Sequence, residues 1–510
     1  MCMQVAYKQV QVVLALLLTA NLSASYAQTT AGQPSGVSAP GVVASGNSTT
    51  NYSSRLNLQQ CIEVAQQNNI QVRQGKLTVA NSELALHQSR LNRLPSALFQ
   101  ATQSVNGGRS INITSNEFVQ QTINSSNFQL NSSVTLYNGM VLQNTVQQNN
   151  LALQAGQLEL AATRNNISLT VAQNYLNVLT GTEQLAVAQR QAEVTRAQLD
   201  RTQRLVNAGS APESNLFELR ATLASNEVDI VNAQNTLDLA RVSLLQAMNV
   251  PINQTFEVEP INVPDPSLDP YTSSVQQLYD VAATSLPEVK GADLRVKSAT
   301  LGVQVAKGGL YPTLSLNAGL NSIYSSAANT SVPNGQVTTL TTTLYYTDPV
   351  TGTNIPISSR VPGNDLIGIG YGTQLKNNFS QSVSLFLRVP IFQGNLSRNR
   401  ITTAKIQQQN AELTALNTRL TLRQQIETAY TNMRAGANRF KATQAQVASL
   451  ERAFQVAESR LNAGAINATD YSIAKTNLDR ARASLVQAKY DYVFRTKILD
   501  YYQNKSLSFN

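Results

Sequence analysis

The sequence predicts an α+β membrane protein in which one structural unit occurs twice. The first observation is a row of apolar residues spaced seven apart, a pattern typical of a helix that packs along its length against another helix. The second observation is that the row recurs: Val206 in the first copy corresponds to Leu461 in the second, an offset of 255 residues. The third is two-residue alternation ahead of each long helix, which is typical of outer-membrane strands.

The heptad rows predict an antiparallel helical hairpin in each copy. One row descends to a break at residues 207–213 in the first copy and 462–469 in the second, and another row ascends from it. The first copy contributes Val171, Val178, Leu185, Ala192, Leu199 and Val206, then Leu216, Leu223, Ile230, Leu237 and Leu244. The second contributes Ile426, Met433, Phe440, Val447, Phe454 and Leu461, then Tyr471, Leu478, Leu485, Tyr492 and Leu499. Because the members match in register, the chain contains an internal duplication of coiled-coil hairpins.

Residues 1–27 are predicted to be a secretory signal peptide. Lys8 supplies a positive charge, and residues 10–18 form a mostly apolar run. The alternative is a membrane anchor, but a spanning helix needs about 20 apolar residues. Residues 28–54 are rich in Ser, Thr, Gly and Ala, and are predicted to form a disordered leader.

The first structural repeat is predicted to cover residues 55–250. A helix from about 58 to 94 continues a heptad row, and a β-hairpin follows at 96–138 with a polar loop from about 106 to 125. The heptad members are Ile70, Leu77, Leu84 and Leu91. In the return strand the apolar residues Phe128, Leu130, Val134 and Leu136 alternate with Gln129, Asn131, Ser133 and Thr135. A barrel strand places such apolar residues against lipid and the polar ones in the lumen; the alternative is a hairpin of a soluble sandwich.

The second structural repeat is predicted to cover residues 274–502, after a proline-rich linker at 251–273 and before a tail at 503–510. Its β-hairpin is predicted at 313–392. Pro312 corresponds to Pro95 at an offset of 217, whereas the later elements are offset by 255, so 38 residues (255 − 217) are inserted between its strands. We expect a long external loop at about 324–376. Leu385, Leu387 and Val389 are predicted to face lipid, and Ser382, Ser384 and Arg388 the lumen.

The composition argues against several functions. The formal charge is +9, but basic residues form no block interleaved with aromatics, so nucleic-acid binding is not predicted. His87 is the only histidine, which excludes His-based triads and multi-histidine metal sites. Since Cys2 lies in the signal peptide, Cys61 remains alone and is predicted to be a packing residue. We therefore predict no enzyme activity, no metal and no cofactor.

Over residues 55–502 the chain resembles the TolC-type outer-membrane efflux proteins. The resemblance rests on the duplicated element order and on four short motifs. These are Tyr137-Asn138-Gly139 and Phe392-Gln393-Gly394 after the β-hairpins, and Asn207-Ala208-Gly209 and Asn462-Ala463-Gly464 at the tips. It implies a homotrimer in which each chain gives four strands to a shared 12-stranded β-barrel in outer-membrane lipid and its helices to a long periplasmic α-helical barrel. Such sharing is also required physically, because four strands cannot close a barrel and open edges are not tolerated in lipid.

The resemblance further implies an outer-membrane exit duct of a tripartite efflux pump or a type I secretion system. Such a porin-like channel conducts small molecules or proteins passively. Its implied partners are a periplasmic adaptor (membrane fusion) protein and an inner-membrane transporter of the RND, ABC or MFS type. The alternative is a periplasmic or secreted coiled-coil scaffold without channel activity.

The hairpin tips are the candidate functional site. Gly209 and Gly464 are predicted to take the left-handed conformation that ends a helix. Small or neutral residues suit close docking of the adaptor, and they are Gly209, Ser210, Ala211, Gly464, Ala465 and Ile466. Asn215 and Asp470 occupy equivalent positions, where both could be N-caps. The resemblance also implies a periplasmic gate and selectivity site at Asp470 and Asn215, which is compatible with capping. It places Ile473 at the family's second acidic position and Ile466 at its basic gate position.

Overall fold

The computed structural model describes residues 55–111, 118–251, 257–260, 273–466, 468–503 and 505. The predicted signal peptide and leader lie outside the described residues, as do most of the linker and most of the tail. All elements described below lie in the unit Ser54–Asn510.

The first repeat begins with a short strand and ends with a helical hairpin. Its elements are β1 (Arg55–Leu56), α1 (Leu58–Asn68), α2 (Ile70–Leu91), β2 (Ser96–Ile111), β3 (Phe118–Tyr137), α3 (Val141–Asn207) and α4 (Glu213–Met248). α3 has 67 residues, which is about 100 Å at 1.5 Å per residue. The predicted polar loop at 106–125 is wrong over most of its length, because β2 and β3 stay paired from Ser96↔Ser133 to Ile111↔Phe118. Backbone hydrogen bonds extend this hairpin regardless of its polar side chains.

The second repeat has the same order with an inserted β-ribbon. Its elements are β4 (Glu257–Val258), α5 (Val275–Ser285), α6 (Pro287–Gly308), β5 (Thr313–Ser325), β6 (Asn329–Thr347), β7 (Asn354–Gly368), α7 (Tyr371–Asn377), β8 (Ser380–Arg388), α8 (Leu396–Asn462) and α9 (Ala468–Tyr502). The loop predicted at 324–376 is therefore wrong for most of its length. In this insertion β6 and β7 pair with each other, and α7 follows. Their Thr, Val, Ile and Tyr content favours strands.

The helix predicted at 58–94 is two helices, α1 and α2, and its counterpart in the second repeat is likewise divided into α5 and α6. Asn69 interrupts the first helix. Its side-chain oxygen accepts from the Gln71 backbone amide, and its side-chain nitrogen donates to the Ala247 carbonyl at 3.0 Å. Pro287 begins α6 at the corresponding break, which suits the fixed φ of proline. The bond to Ala247 joins the end of α4 to the start of α2, so these two helices lie end to end beside α3.

A small junction anchors the middle of α3. β1 and β4 pair in parallel, Arg55↔Glu257, and the Tyr175 hydroxyl on α3 donates to the Glu259 carbonyl at 2.7 Å. Cys61 is fully buried beside it, as predicted for a packing residue, and burial raises the pKa of its thiol to about 12. The thiol is therefore protonated near neutral pH.

Four strands form one antiparallel sheet in the order β2-β3-β5-β8. Val134, Leu316 and Leu385 are cross-strand neighbours on one face, and Ser133, Asn317 and Ser384 on the other. The predicted separation of apolar and polar residues is thus present in the register. Val389 lies just beyond the end of β8 at Arg388.

The helices that lead into and out of this sheet form a layer in the order α2-α3-α6-α8, which matches the order of the strands they adjoin. Gly75 of α2 meets Leu160 of α3, Arg295 of α6 pairs with Glu159 of α3 at 2.8 Å, and Arg419 of α8 pairs with Asp293 of α6. The two outer helices expose apolar heptad rows. On α2 the row is Ile70, Leu77, Leu84 and Leu91, and on α8 it is Ile406, Leu413 and Leu420; each member is at least 41% exposed. The expected seam on α2 is thus not covered by described residues of its own chain.

Candidate functional site at the hairpin tips

Both helical hairpins turn through the same backbone structure. Gly209 and Gly464 have φ of +71° and +70°, so the predicted left-handed conformation is confirmed. The Ser210 amide donates to the Leu205 carbonyl at 2.8 Å, and the Gly209 amide donates to the Val206 carbonyl at 2.9 Å. The second tip repeats both bonds, from Ala465 to Arg460 at 2.8 Å and from Gly464 to Leu461 at 3.0 Å. These are the paired bonds of a Schellman cap.

The tips present an open surface with little side-chain bulk. Gly209, Ser210, Gly464 and Ala465 are exposed, and Ala211 and Ile466 are half-buried. A Cβ built on either Gly209 or Gly464 meets no described atom within 4 Å. A larger residue there would therefore strain the backbone and project outward, without clashing inside the hairpin. Adaptor docking at this surface stays a prediction.

Neither Asn215 nor Asp470 is an N-cap, so that interpretation is wrong. Each is the third residue of its helix, because α4 begins at Glu213 and α9 at Ala468. Pro212 occupies the N-cap position of α4 and makes no side-chain capping bond. Asp470 is exposed in the first turn of α9, where a carboxylate interacts favourably with the positive end of the helix dipole. Asn215 is half-buried.

Just beyond their first turns, α4 and α9 line a groove, and Asp470 lies within a turn of it. The groove is lined by Glu218, Leu219, Ala221 and Thr222 from α4 and by Ser472, Ile473, Thr476, Asn477 and Arg480 from α9. Ile473 is 54% exposed, and its equivalent at the offset of 255 is Glu218. In this groove, α9 therefore has an isoleucine where the equivalent position of α4 has an acidic side chain. Sequence reasoning missed Glu218, although the repeat offset could have found it.

Beside the groove, the second hairpin contains a buried ion pair that the first lacks. Lys475 donates to Asp479 at 2.6 Å, with 14% and 6% of the two side chains exposed. The ammonium lies 5.7 Å from the Phe454 ring centre, and Phe454 lies 5.4 Å from Tyr471. Burial, with the Glu458 and Asp479 carboxylates, raises the pKa of Tyr471 against the influence of Arg201. The i,i+4 spacing of Lys475 and Asp479 was the available sequence signal.

Higher in each hairpin, one ion pair occurs twice with its charges exchanged. In the first copy Arg196 of α3 pairs with Glu227 of α4 at 3.4 Å. At the equivalent positions Arg482 of α9 pairs with Glu451 of α8 at 2.7 Å. Such exposed pairs contribute only about 0–1 kcal/mol each, so they align the hairpin helices more than they stabilise them.

In the described ranges, no group of three or more His, Cys, Asp and Glu side chains could hold a metal ion, and His87 is exposed on α2. None of the described helices combines the length and apolar character needed to cross a bilayer.

Known proteins resemble the chain in sequence and in fold. The family model for "Outer membrane efflux protein" matches residues 100–250 and 278–497. Outer membrane protein TolC of Escherichia coli (strain K12) is 24% identical over 335 residues, which are 65% of this chain and 59% of TolC. The chain thus spans under two thirds of that relative's length.

Two solved structures illustrate the similarity of fold. VceC of Vibrio cholerae, an outer membrane protein, matches with a TM-score of 0.67 and 15% identity, over 88% of this chain and 97% of VceC. The outer-membrane channel OprN matches with a TM-score of 0.68 and 15% identity, over 88% of this chain and 90% of OprN. At these identities the similarity establishes the fold alone.

Proposed function

Because this chain belongs to the outer membrane efflux protein family, we propose that it is an outer-membrane exit duct with a large periplasmic extension. Members of that family are channel proteins. The duct conducts its cargo passively, as part of a tripartite efflux pump or a type I secretion system, and the chain acts as a homotrimer.

The unsatisfied edges of both layers support the trimer most directly. In the described sheet, β2 and β8 each have a paired strand on one side only. In the helical layer, the outer helices α2 and α8 expose apolar rows of matching seven-residue spacing. When β8 of one protomer pairs with β2 of the next, α8 of the first protomer also packs against α2 of the next. A single rotation about the trimer axis thus pairs the open sheet edges and covers the exposed helix faces. Three copies then give twelve strands, enough for a barrel with an open lumen.

The lining of the barrel suits passive conduction. The lumen row contains Ser133, Asn317 and Ser384, whose hydroxyl and amide groups can exchange hydrogen bonds with water and with varied cargo. Such neutral groups neither attract nor repel a charged solute strongly, and the charged Arg388 lies on this face only at the end of β8 that leads into α8. Selectivity is therefore assigned to the periplasmic end.

At that end, three copies of Asp470 converge on the axis together with the nearby carboxylate of Glu218. Asn215 holds the position equivalent to Asp470 in the alternate hairpins. Converging like charges raise the local negative potential and concentrate cations, an effect that salt weakens. The arrangement gives two acidic positions per protomer at the entrance.

The exposed tips receive the periplasmic adaptor. Gly209, Ser210, Ala211, Gly464, Ala465 and Ile466 allow backbones to approach closely, because no bulky side chain intervenes. An inner-membrane transporter of the RND, ABC or MFS type supplies the energy that the duct itself cannot.

The test is deletion and complementation in the native host. We expect the chain in the outer-membrane fraction as a trimer that dissociates only on heating in detergent, and we expect deletion to raise retention of an effluxed dye or secreted protein. A monomer in the periplasmic fraction, with normal export after deletion, would favour the coiled-coil scaffold instead.

A further inference from the structure

One face of the sheet is apolar over a limited height. Along β5 this face bears Leu314, Leu316, Ala318 and Leu320, then Ser322 and Tyr324. Opposite Ser322 stands Phe128, and opposite Tyr324 stands Ser126. The five rows from Leu314 to Ser322 rise about 20 Å, at about 3.3 Å per residue and a strand tilt of about 35–45°. That height is close to the apolar band of about 25 Å that outer-membrane barrels present to lipid.

Helix α7 lies on this same face, at its upper end. The Ser322 hydroxyl donates to the Leu375 carbonyl at 2.7 Å, and the Tyr324 and Tyr371 rings are 4.5 Å apart. Ser322 and Tyr324 alternate in phase with Leu320, so a helix that contacts both lies against the lipid-facing side of the wall. It does not lie in the lumen.

The helix is fixed to the sheet by buried hydrogen bonds. Gln374 is 2% exposed; its side chain accepts from the Ser325 amide at 2.9 Å and donates to the Ser325 and Ile369 carbonyls at 2.9 and 2.7 Å. The Asn378 side chain donates to the Ile323 carbonyl at 2.7 Å. The outer surface of α7 therefore has a defined height, directly above the apolar rows.

That surface combines aromatic and basic side chains. Tyr371 is 46% exposed, Phe379 at the start of β8 is 55% exposed, and Lys376 is exposed. Aromatic rings with a polar edge concentrate at the membrane–water interface, and a lysine there can extend its ammonium to headgroup phosphates. At the lower edge Tyr137 and Tyr311 are similarly exposed, which gives the two aromatic belts of a barrel.

We propose that α7 is an interfacial foot, which rests among the phosphate-bearing headgroups of the outer leaflet through Tyr371 and Lys376. The occupant is lipid because the outer surface of α7 lies on the same face of the sheet as the apolar rows and directly above them. The proposal rests on the proposed function insofar as it needs the sheet to lie in a membrane.

The chain contains no tryptophan, so a single introduced indole reports on its own position. The Tyr371→Trp variant is reconstituted as trimers into vesicles whose lipids carry bromine at a shallow or a deep acyl position. Controls are Val383→Trp in the middle apolar row and Tyr345→Trp in the β6–β7 ribbon. We expect shallow bromine to quench Tyr371→Trp more than deep bromine, the reverse order for Val383→Trp, and quenching of Tyr345→Trp only by aqueous iodide.

If Tyr371→Trp behaves like Tyr345→Trp while Val383→Trp is quenched by lipid, the foot is refuted and the membrane placement stands. If Val383→Trp is not quenched by lipid either, the membrane placement itself fails. A second series replaces phosphatidylcholine with phosphatidylglycerol. We expect shallow quenching of Tyr371→Trp to rise with the anionic fraction and to fall with salt, and Lys376→Gln in that background to abolish both responses. Equal responses with and without Lys376→Gln would refute the phosphate contact.

Discussion

A charge placed on the apolar face of β8 should destabilise the trimer by an amount that depends on depth. The face bears Val383, Leu385 and Leu387, which are 67%, 63% and 61% exposed. Because their exposures are nearly equal, differences among the three reflect position and not burial within the chain. Val383 pairs with Ala318, in the middle of the five rows, whereas Leu385 and Leu387 lie successively lower.

The geometry sets the expected magnitudes. Successive rows are two residues apart, about 7 Å along the strand and about 5 Å in depth at a tilt of 35–45°. Leu385 is thus about 5 Å and Leu387 about 10 Å from the middle, with the band edge at about 12 Å. An arginine at the midplane costs about 2–4 kcal/mol, and near the interface about 0–1 kcal/mol. We expect Val383→Arg to cost the most, Leu385→Arg an intermediate amount and Leu387→Arg the least.

The assay is the free energy of unfolding per chain, from guanidinium titration of trimers in lipid vesicles. Ser384→Arg is the matched control, because Ser384 lies between the test positions and opposite Asn317 on the lumen face; we expect a change under about 0.5 kcal/mol. Equal costs for the three apolar positions, or a cost at Ser384 as large as that at Val383, would refute the assignment of faces and depth.

Three further predictions concern assembly, the gate and the tips. Leu77→Asp or Leu413→Asp, each in an exposed heptad row, should prevent trimer formation. Thr78→Asp, also exposed on α2 but turned away from that row, should not. Trimers from both row variants by gel filtration would contradict the α8–α2 contact. Asp470→Asn and Glu218→Gln should each lower cation selectivity and periplasmic-side block by a trivalent cation. Each should change stability by under about 1 kcal/mol, because both side chains are exposed and an exposed carboxylate near a helix N-terminus contributes about 0.3–1 kcal/mol. Unchanged block in the double variant, against Glu213→Gln as control, would remove the acidic entrance. Gly464→Val should abolish export while trimers form, because φ of +70° strains a branched residue by about 1–2 kcal/mol and its methyls project into the open tip; normal export would exclude docking at this turn.

Sequence periodicity predicted the helices and strands that repeat. It did not predict the features that depend on single residues. The breaks in the heptad rows at 207–213 and 462–469 placed the C-terminal ends of both long helices, which end at Asn207 and Asn462. They also located Gly209 and Gly464, because a helix stop follows directly from backbone geometry. The breaks at Asn69 and Leu286 were missed because apolar spacing continues across them. The exposure of Leu77 and Leu413 could not be predicted either. A heptad row indicates that a helix packs against a partner, but it does not indicate which chain provides that partner.

The candidate site was predictable in position and less so in content. The repeat offset made Asn215 and Asp470 equivalent, yet the cap assignment failed because α4 starts at Glu213, after Pro212. Glu218 was not predicted because a family pattern for α9 carries no information about the equivalent position on α4. The β6–β7 ribbon differs from the predicted loop because Thr and Gly suit both structures, and only strand pairing distinguishes the two.

The most direct test of the duct is electrical. Purified trimers are inserted into a planar bilayer, and the current is recorded across a range of voltages with a trivalent cation added to one side and then to the other. We expect discrete conductance steps that favour cations and that the trivalent ion blocks from the tip side only. Bilayers that contain inserted trimers and pass no current at any voltage would contradict it.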